Sequence, residues 1–299
     1  MQPVDNEGGA ARRCGQKHHR PFSTVEAMSP RLPTRALFAH LLDDAAVFPP
    51  GNFPLDEAIE RRARRRGTPA SDFVGPLLLP PALVDDALAD GGGLVIGVVG
   101  RAGTAIADIV AAGEAVTASP SHALAGLEVP AVDGWRDALT LGVPLAVEVP
   151  AGPSGVSVLP DLASSPLQVI AKLRTGSSPA NPVPSSTDVA QFIGECVRLG
   201  LPFKLTGGLH HAVTSTVTAD GRTEDQFGFL NVVLATAAAL DGDDVATQLE
   251  RRDTSAIAAD ITEFSEARAV NVRNSFTSYG CCDVLDPIND LATLGLIED

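Results

Sequence analysis

From residue 31 onward the chain repeats one texture. A short apolar, β-rich run ends in Pro or Gly, and a longer Ala- and Leu-rich run with helical spacing follows. Alternation of this kind implies parallel strands joined by crossover helices. Eight runs read as strands: 45–48, 73–79, 94–99, 123–129, 145–149, 168–174, 201–206 and 275–281. Helical spacing occupies 33–42, 55–66, 81–89, 103–114, 133–141, 186–199, 226–240 and 286–294, with one or two more helices across 243–270. Residues 151–166 show no helical period and predict a short or irregular crossover. Eight βα repeats in a chain of 299 residues predict an α/β fold of the (βα)8 TIM-barrel class, a single domain over 31–299. An open dinucleotide-binding sheet is disfavoured, because Gly91-Gly92-Gly93 precedes a strand instead of following one. Residues 1–30 carry no apolar period and read as a disordered tail.

Composition narrows the function. With 37 acidic against 22 basic residues the net charge is -15, which argues against a nucleic-acid surface. No apolar run approaches the roughly 18 residues of a membrane span. The polar, mixed start holds no signal core. Four cysteines at irregular spacing (Cys14, Cys196, Cys281, Cys282) do not form a disulfide framework. The expectation is a reduced, cytoplasmic protein that acts on a small molecule, with homo-oligomers possible.

In this fold chemistry is done at the C-terminal ends of the strands. There the sequence places Asp44 near the first strand, Glu128 on the fourth and Glu148 on the fifth, the two glutamates in a small Glu-Val-Pro repeat. Lys172 and Arg174 end the sixth. Lys204, Thr206, Gly207 and Gly208 end the seventh, followed by His210 and His211, and Gly280 lies near the end of the eighth.

The lysines are the sharpest signal. Of the 22 basic residues only Lys17, Lys172 and Lys204 are lysine, and the rest are arginine. Arginine cannot form an imine, whereas a desolvated lysine can. By period two, Lys172 shares a side of its strand with Arg174, and Lys204 with Thr206. If those sides face the interior, the two ammonium groups meet and repel. One would then be driven toward its neutral, nucleophilic form. The alternative is that both lysines simply pair with Glu128 or Glu148.

The stretches AKLRTG and PFKLTGG resemble the paired lysine motifs of class I aldolases of the deoxyribose-phosphate aldolase kind, over about 40 residues. The resemblance implies that Lys172 forms the Schiff base, that Lys204 tunes it, and that Gly207 and Gly208 contact a phosphate. Two departures stand out. Arg174 occupies a place usually held by a small residue, and the third strand carries no acid. The phrases DDAAVFPPG, KLRTG, PFKLTGGLHH and FGFLNV also resemble a separate bacterial family. The chain is therefore expected to form a branch whose substrate the aldolases do not fix.

The leading expectation is a carbon–carbon lyase acting on a small carbonyl compound, sugar-like or phosphorylated, through a Lys172 imine. Lys204 would depress the pKa of Lys172 and Glu128 or Glu148 would shuttle protons. Arg174 would hold an anionic group, and Gly207, Gly208 and Gly280 would offer backbone N–H groups. No cofactor or metal is required. One alternative is an isomerase or epimerase using the same lysines as acid and base. Another is a metal-assisted hydrolase built on His210, His211 and barrel carboxylates, Asp44 among them. A fourth is a barrel without catalysis. Cys281 and Cys282 could line the pocket with a histidine as base. Asn231 opens a helix after a loop, 212–226, long enough to be a lid, and would either cap that helix or touch substrate. The arginine cluster at 61–66 reads as a solvated face or an oligomer contact.

Overall fold

Helix boundaries follow from local chemistry. The computed structural model describes residues 35–178, 182–219 and 222–298. The predicted 1–30 tail, with Lys17, His18 and His19, lies outside the described residues. Helix α1 (Leu55–Arg65) has Asp56 and Glu57 in its first turn and Arg62, Arg64 and Arg65 in its last, complementing its dipole. After it come α2 (Val84–Leu88), α3 (Ile106–Ala118), α4 (Pro153–Val156), α5 (Leu159–Ala163) and α6 (Ser186–Leu199). The last of these starts at a capping box between Ser185 and Asp188 and stops at Gly200, whose φ of +62° suits a residue without Cβ. The remaining helices are α7 (Phe229–Asp241), α8 (Val245–Glu250), α9 (Thr254–Thr262), α10 (Glu266–Ser275) and α11 (Leu285–Thr293).

The strands are β1 (Leu42–Asp44), β2 (Val74–Leu79), β3 (Val95–Val99), β4 (Ala123–Pro130), β5 (Leu145–Val149), β6 (Val169–Arg174), β7 (Phe203–Thr206), the pair β8 (Ser215–Ala219) and β9 (Arg222–Gln226), and β10 (Phe276–Cys281). Eight of them close a parallel barrel in the order β1-β10-β7-β6-β5-β4-β3-β2. Closure leaves no edge of the barrel unpaired and brings the first and last strands together, with Asp43 opposite Gly280. This is the predicted (βα)8 barrel.

Side chains on the barrel strands β5, β6, β7 and β10 alternate in and out. The outward set, including Val147, Ala171, Leu173, Phe203, Leu205 and Tyr279, is buried. Phe203 meets Phe192 of α6 edge-on and stacks on Phe276, so this layer binds strands to the surrounding helices.

Four expectations change. The first strand is Leu42–Asp44, not 45–48, because its two aspartates find buried cationic partners and so need not stay in a solvated turn. The 151–166 crossover holds two short helices, α4 and α5. The 212–226 segment contains an antiparallel hairpin, β8 with β9. Only part of the 61–66 arginine cluster faces solvent. Arg65 reaches the buried Asp44, and Arg62 donates to the Gly75 carbonyl at 2.7 Å.

Candidate active site

Parallel register aligns the charged residues across the barrel. Glu148 lies opposite Lys172, Lys172 opposite Lys204, and Lys204 opposite Ser278, on four consecutive strands. Neighbours in register share a face, and here the face is the interior. Glu128 enters from β4 and Asp43 from β1.

The result is a continuous ladder of alternating charge. Ser278 Oγ donates to Asp43 Oδ2 at 2.7 Å, and the same oxygen accepts from Lys204 Nζ at 2.6 Å. Lys204 Nζ also donates to Glu128 Oε1. The other oxygen of Glu128, Oε2, lies 2.7 Å from Lys172 Nζ, which reaches Glu148 Oε2 at 2.7 Å as well. Beyond it, Arg174 Nε stands 3.9 Å from Glu148 Oε1. Asp43, Lys204, Glu128 and Lys172 are buried, whereas the Glu148 and Arg174 side chains are 29% and 34% exposed. The ladder thus runs from a dry interior to an end open to solvent.

The predicted repulsion between the lysines does not arise, because Glu128 sits between them. Burial alone would lower the Lys172 pKa, but Glu128 and Glu148 outweigh it and the net shift is upward. Lys204 is likewise raised, with Asp43 and Glu128 overcoming burial. Both are ammonium ions at neutral pH. Burial alone would raise the Glu128 carboxyl, yet the two lysines bring it down to about 2. The expected depression of Lys172 by Lys204 is not found: the two lysines meet only through Glu128, and Lys172 is shifted upward.

Asp43 belongs to this ladder and was missed by sequence reasoning, which assigned Asp44 instead. The available signal was parity: only one of two adjacent strand residues can face the interior. Asp44 turns outward to Arg65 and Arg62, and burial raises its carboxyl despite them. Glycine at 75 makes room for Asp43, since a Cβ there would fall 2.5 Å from Asp43 Oδ1.

Above the ladder, Arg174 lies opposite Thr206, and Thr206 opposite Gly280. Gly207 and Gly208 have φ of +74° and +69°. Gly176 packs flat on their peptide, where a Cβ would come within 2.6 Å of Gly207 C and Gly208 N. Thr175 Oγ1 donates to the Gly207 carbonyl at 2.7 Å, locking the ends of β6 and β7 together.

The histidines do not join the barrel carboxylates. His210 approaches Cys282 Sγ, its Nδ1 at 3.5 Å, and burial lowers its pKa. His211 Nδ1 is 3.3 Å from Asp290 Oδ2 on α11. Asp44 is held by arginines, and Glu128 and Glu148 by lysines. Among the described residues, no group of three or more His, Cys, Asp or Glu side chains is placed to hold a metal ion, so the donor set of the hydrolase alternative is not assembled. Cys281 is buried, its thiol donating to the Asp283 carbonyl at 3.2 Å, while burial pushes the Cys282 thiol up to about 11.

Asn231 does not reach toward a substrate. It is fully buried, its Oδ1 accepts from Thr214 N at 2.8 Å, and its Nδ2 donates to the Gln248 and Arg251 carbonyls, both at 2.8 Å. It fastens the segment before β8 to α7 and to the C-terminal end of α8.

No family model matches the chain, and no curated protein matches it. Among solved structures it is similar to a Yersinia pestis DHPS with a pterine-sulfa conjugate. That likeness covers 86% of this chain and 93% of that chain at 10% identity, with a TM-score of 0.44. The barrel assignment rests on the strand register, and no helix among the described residues is long and apolar enough to cross a membrane.

Proposed function

We propose that the protein is a carbon–carbon lyase of aldolase type in which Lys172 forms an imine with a small carbonyl substrate. The observation that carries this reading is the buried ladder Asp43–Lys204–Glu128–Lys172–Glu148, opening to solvent beside Arg174. Burying several ions costs more than packing the same volume with apolar side chains, so stability alone is a poor reason for such a chain. A reaction that makes and consumes charge next to a carbonyl is a good one.

Lys172 rests as an ammonium ion with two carboxylates on its Nζ. One of its protons passes to Glu148, the more exposed of the two. The free amine adds to the substrate carbonyl carbon, the carbonyl oxygen leaves as water, and a C=N bond remains. The positively charged imine then serves as the electron sink for cleavage of the adjacent carbon–carbon bond. Glu128 and Lys204 supply and remove protons from the interior side. Glu128 takes the place of the acid that the aldolase resemblance expects on the third strand.

Borohydride reduction in the presence of simple aldehydes and ketones, followed by peptide mass analysis, tests the reading. The expected result is a single stable adduct on Lys172, absent from Lys172→Arg. No adduct with any carbonyl compound overturns it.

A second reading, an isomerase or epimerase without an imine, is favoured by the placement of the Lys172 ammonium 2.7 Å from the Glu148 carboxylate at the solvent-open end of the ladder, which sets an acid and a base side by side. It predicts solvent deuterium uptake beside the substrate carbonyl with no borohydride adduct.

A further inference from the structure

The layer directly above the lysines is built differently from the ladder, and it bears on what the substrate carries. Arg174, Thr206 and Gly280 are neighbours in register on β6, β7 and β10, one inward position above Lys172, Lys204 and Ser278. The rise between the two layers is about 6.6 Å, twice that of one strand residue. In the lower layer every charged group is paired. In the upper layer hydrogen-bonding capacity is left over: among the described residues neither the Arg174 nitrogens nor Thr206 Oγ1 makes a hydrogen bond, and Arg174 has only its 3.9 Å ion pair with Glu148. Gly280 leaves open the space beside Thr206, where a Cβ would lie 3.2 Å from Oγ1.

We infer that this upper layer is a carboxylate subsite and that the substrate is a short oxo acid, its carboxylate one or two carbons from the carbonyl that meets Lys172. This rests on the imine reading above. The Arg174 fork can donate two parallel N–H bonds to a planar carboxylate, and the Thr206 hydroxyl can donate a third from the neighbouring strand. The length is limited because one carboxylate spans both cations: Glu148 Oε2 lies 2.7 Å from Lys172 Nζ and its Oε1 3.9 Å from Arg174 Nε.

Two observations favour a carboxylate over a phosphate. The Gly207–Gly208 turn, which would cradle a phosphate, is covered on one face by Gly176 and tied down by Thr175. The charge balance agrees. Asp43, Glu128 and Glu148 are matched one for one by Lys172, Lys204 and Arg174. A monoanion leaves one excess negative charge beside Glu148, whereas a phosphate dianion leaves two.

The test compares borohydride labelling of Lys172 by pyruvate and by acetaldehyde at matched concentration, in the wild type and in Arg174→Gln and Thr206→Val. The wild type should be labelled faster by pyruvate. Arg174→Gln should lower the pyruvate-to-acetaldehyde ratio by about tenfold or more, the scale of a lost charged hydrogen-bond pair. Thr206→Val should lower it less. Thermal shifts with pyruvate and with inorganic phosphate give an independent readout that needs no imine. Stabilisation by pyruvate that is lost in Arg174→Gln supports the subsite, provided the variant melts like the wild type without ligand. Labelling by both carbonyls at one rate, or an unchanged ratio in Arg174→Gln, overturns the carboxylate assignment and leaves the imine standing. A larger, Arg174-dependent shift with phosphate overturns it in favour of phosphate. Absence of any labelling overturns the imine itself and, with it, the substrate class.

Discussion

Replacing Glu128 by glutamine removes the one charge that both lysines share. The amide keeps the shape and one acceptor oxygen, but it leaves Lys172, Lys204 and Arg174 facing only Asp43 and Glu148. Two routes give the magnitude. The carboxyl shifts from 4.5 to about 2 on folding, which corresponds to about 3 kcal/mol of stabilisation at neutral pH. Breaking a buried ion pair by removing one partner costs about 3–5 kcal/mol. The two agree, and for a barrel of this size they imply a fall in Tm of roughly 6–20 °C. The pH dependence carries more information. In the wild type the folded carboxyl lies below its unfolded value, so the Glu128 contribution is complete above pH 4.5 and is lost as the pH falls toward 2. In Glu128→Gln the remaining excess positive charge pushes a lysine down. A lysine depressed in the folded state destabilises the protein at low pH and releases that penalty as the pH rises toward its unfolded value. The deficit relative to wild type should therefore shrink between about pH 6 and pH 10, and added salt should change it little because the groups are buried. Urea or thermal denaturation of both proteins across that range is the assay. A deficit below about 1 kcal/mol at pH 6, or one that does not change with pH, would refute the shared-counterion account.

Gly75→Ala places a methyl group against Asp43 Oδ1 and should destabilise the barrel by about 1–3 kcal/mol through overpacking, read by denaturant titration; the penalty should be smaller in the Asp43→Ala background. Asn231→Ala removes three buried hydrogen bonds and should cost about 2–4 kcal/mol, with amide exchange quickening first at Thr214. Cys282, with its thiol pushed up to about 11, should react with iodoacetamide more slowly than a free cysteine at about pH 7.5 and speed up about tenfold per pH unit, while Cys281 and Cys196 stay unlabelled until unfolding.

The sequence by itself determined the barrel. Period-two apolar runs alternating with helical runs admit few architectures, and eight of them in one chain select closure. Seven of the eight barrel strands fall within two residues of where their apolar patterning puts them. The shortage of lysine likewise pointed to Lys172 and Lys204, and both lie in the barrel interior. What sequence could not decide is which groups pair, because pairing depends on register between strands far apart in the chain. The first strand shows this most directly. The sequence reading ends a helix at 42 and leaves Asp43 and Asp44 ahead of the first strand, since nothing local neutralises their charges. Leu42–Asp44 is a strand because Lys204, 161 residues away, receives one aspartate inside the barrel, and Arg65 of α1 receives the other outside. Only tertiary structure could place Glu128 between the two lysines and turn an expected repulsion into a neutral ladder. The physical reason is closure: joining β1 to β10 carries side chains from distant parts of the chain into one volume small enough for every charge to need a partner.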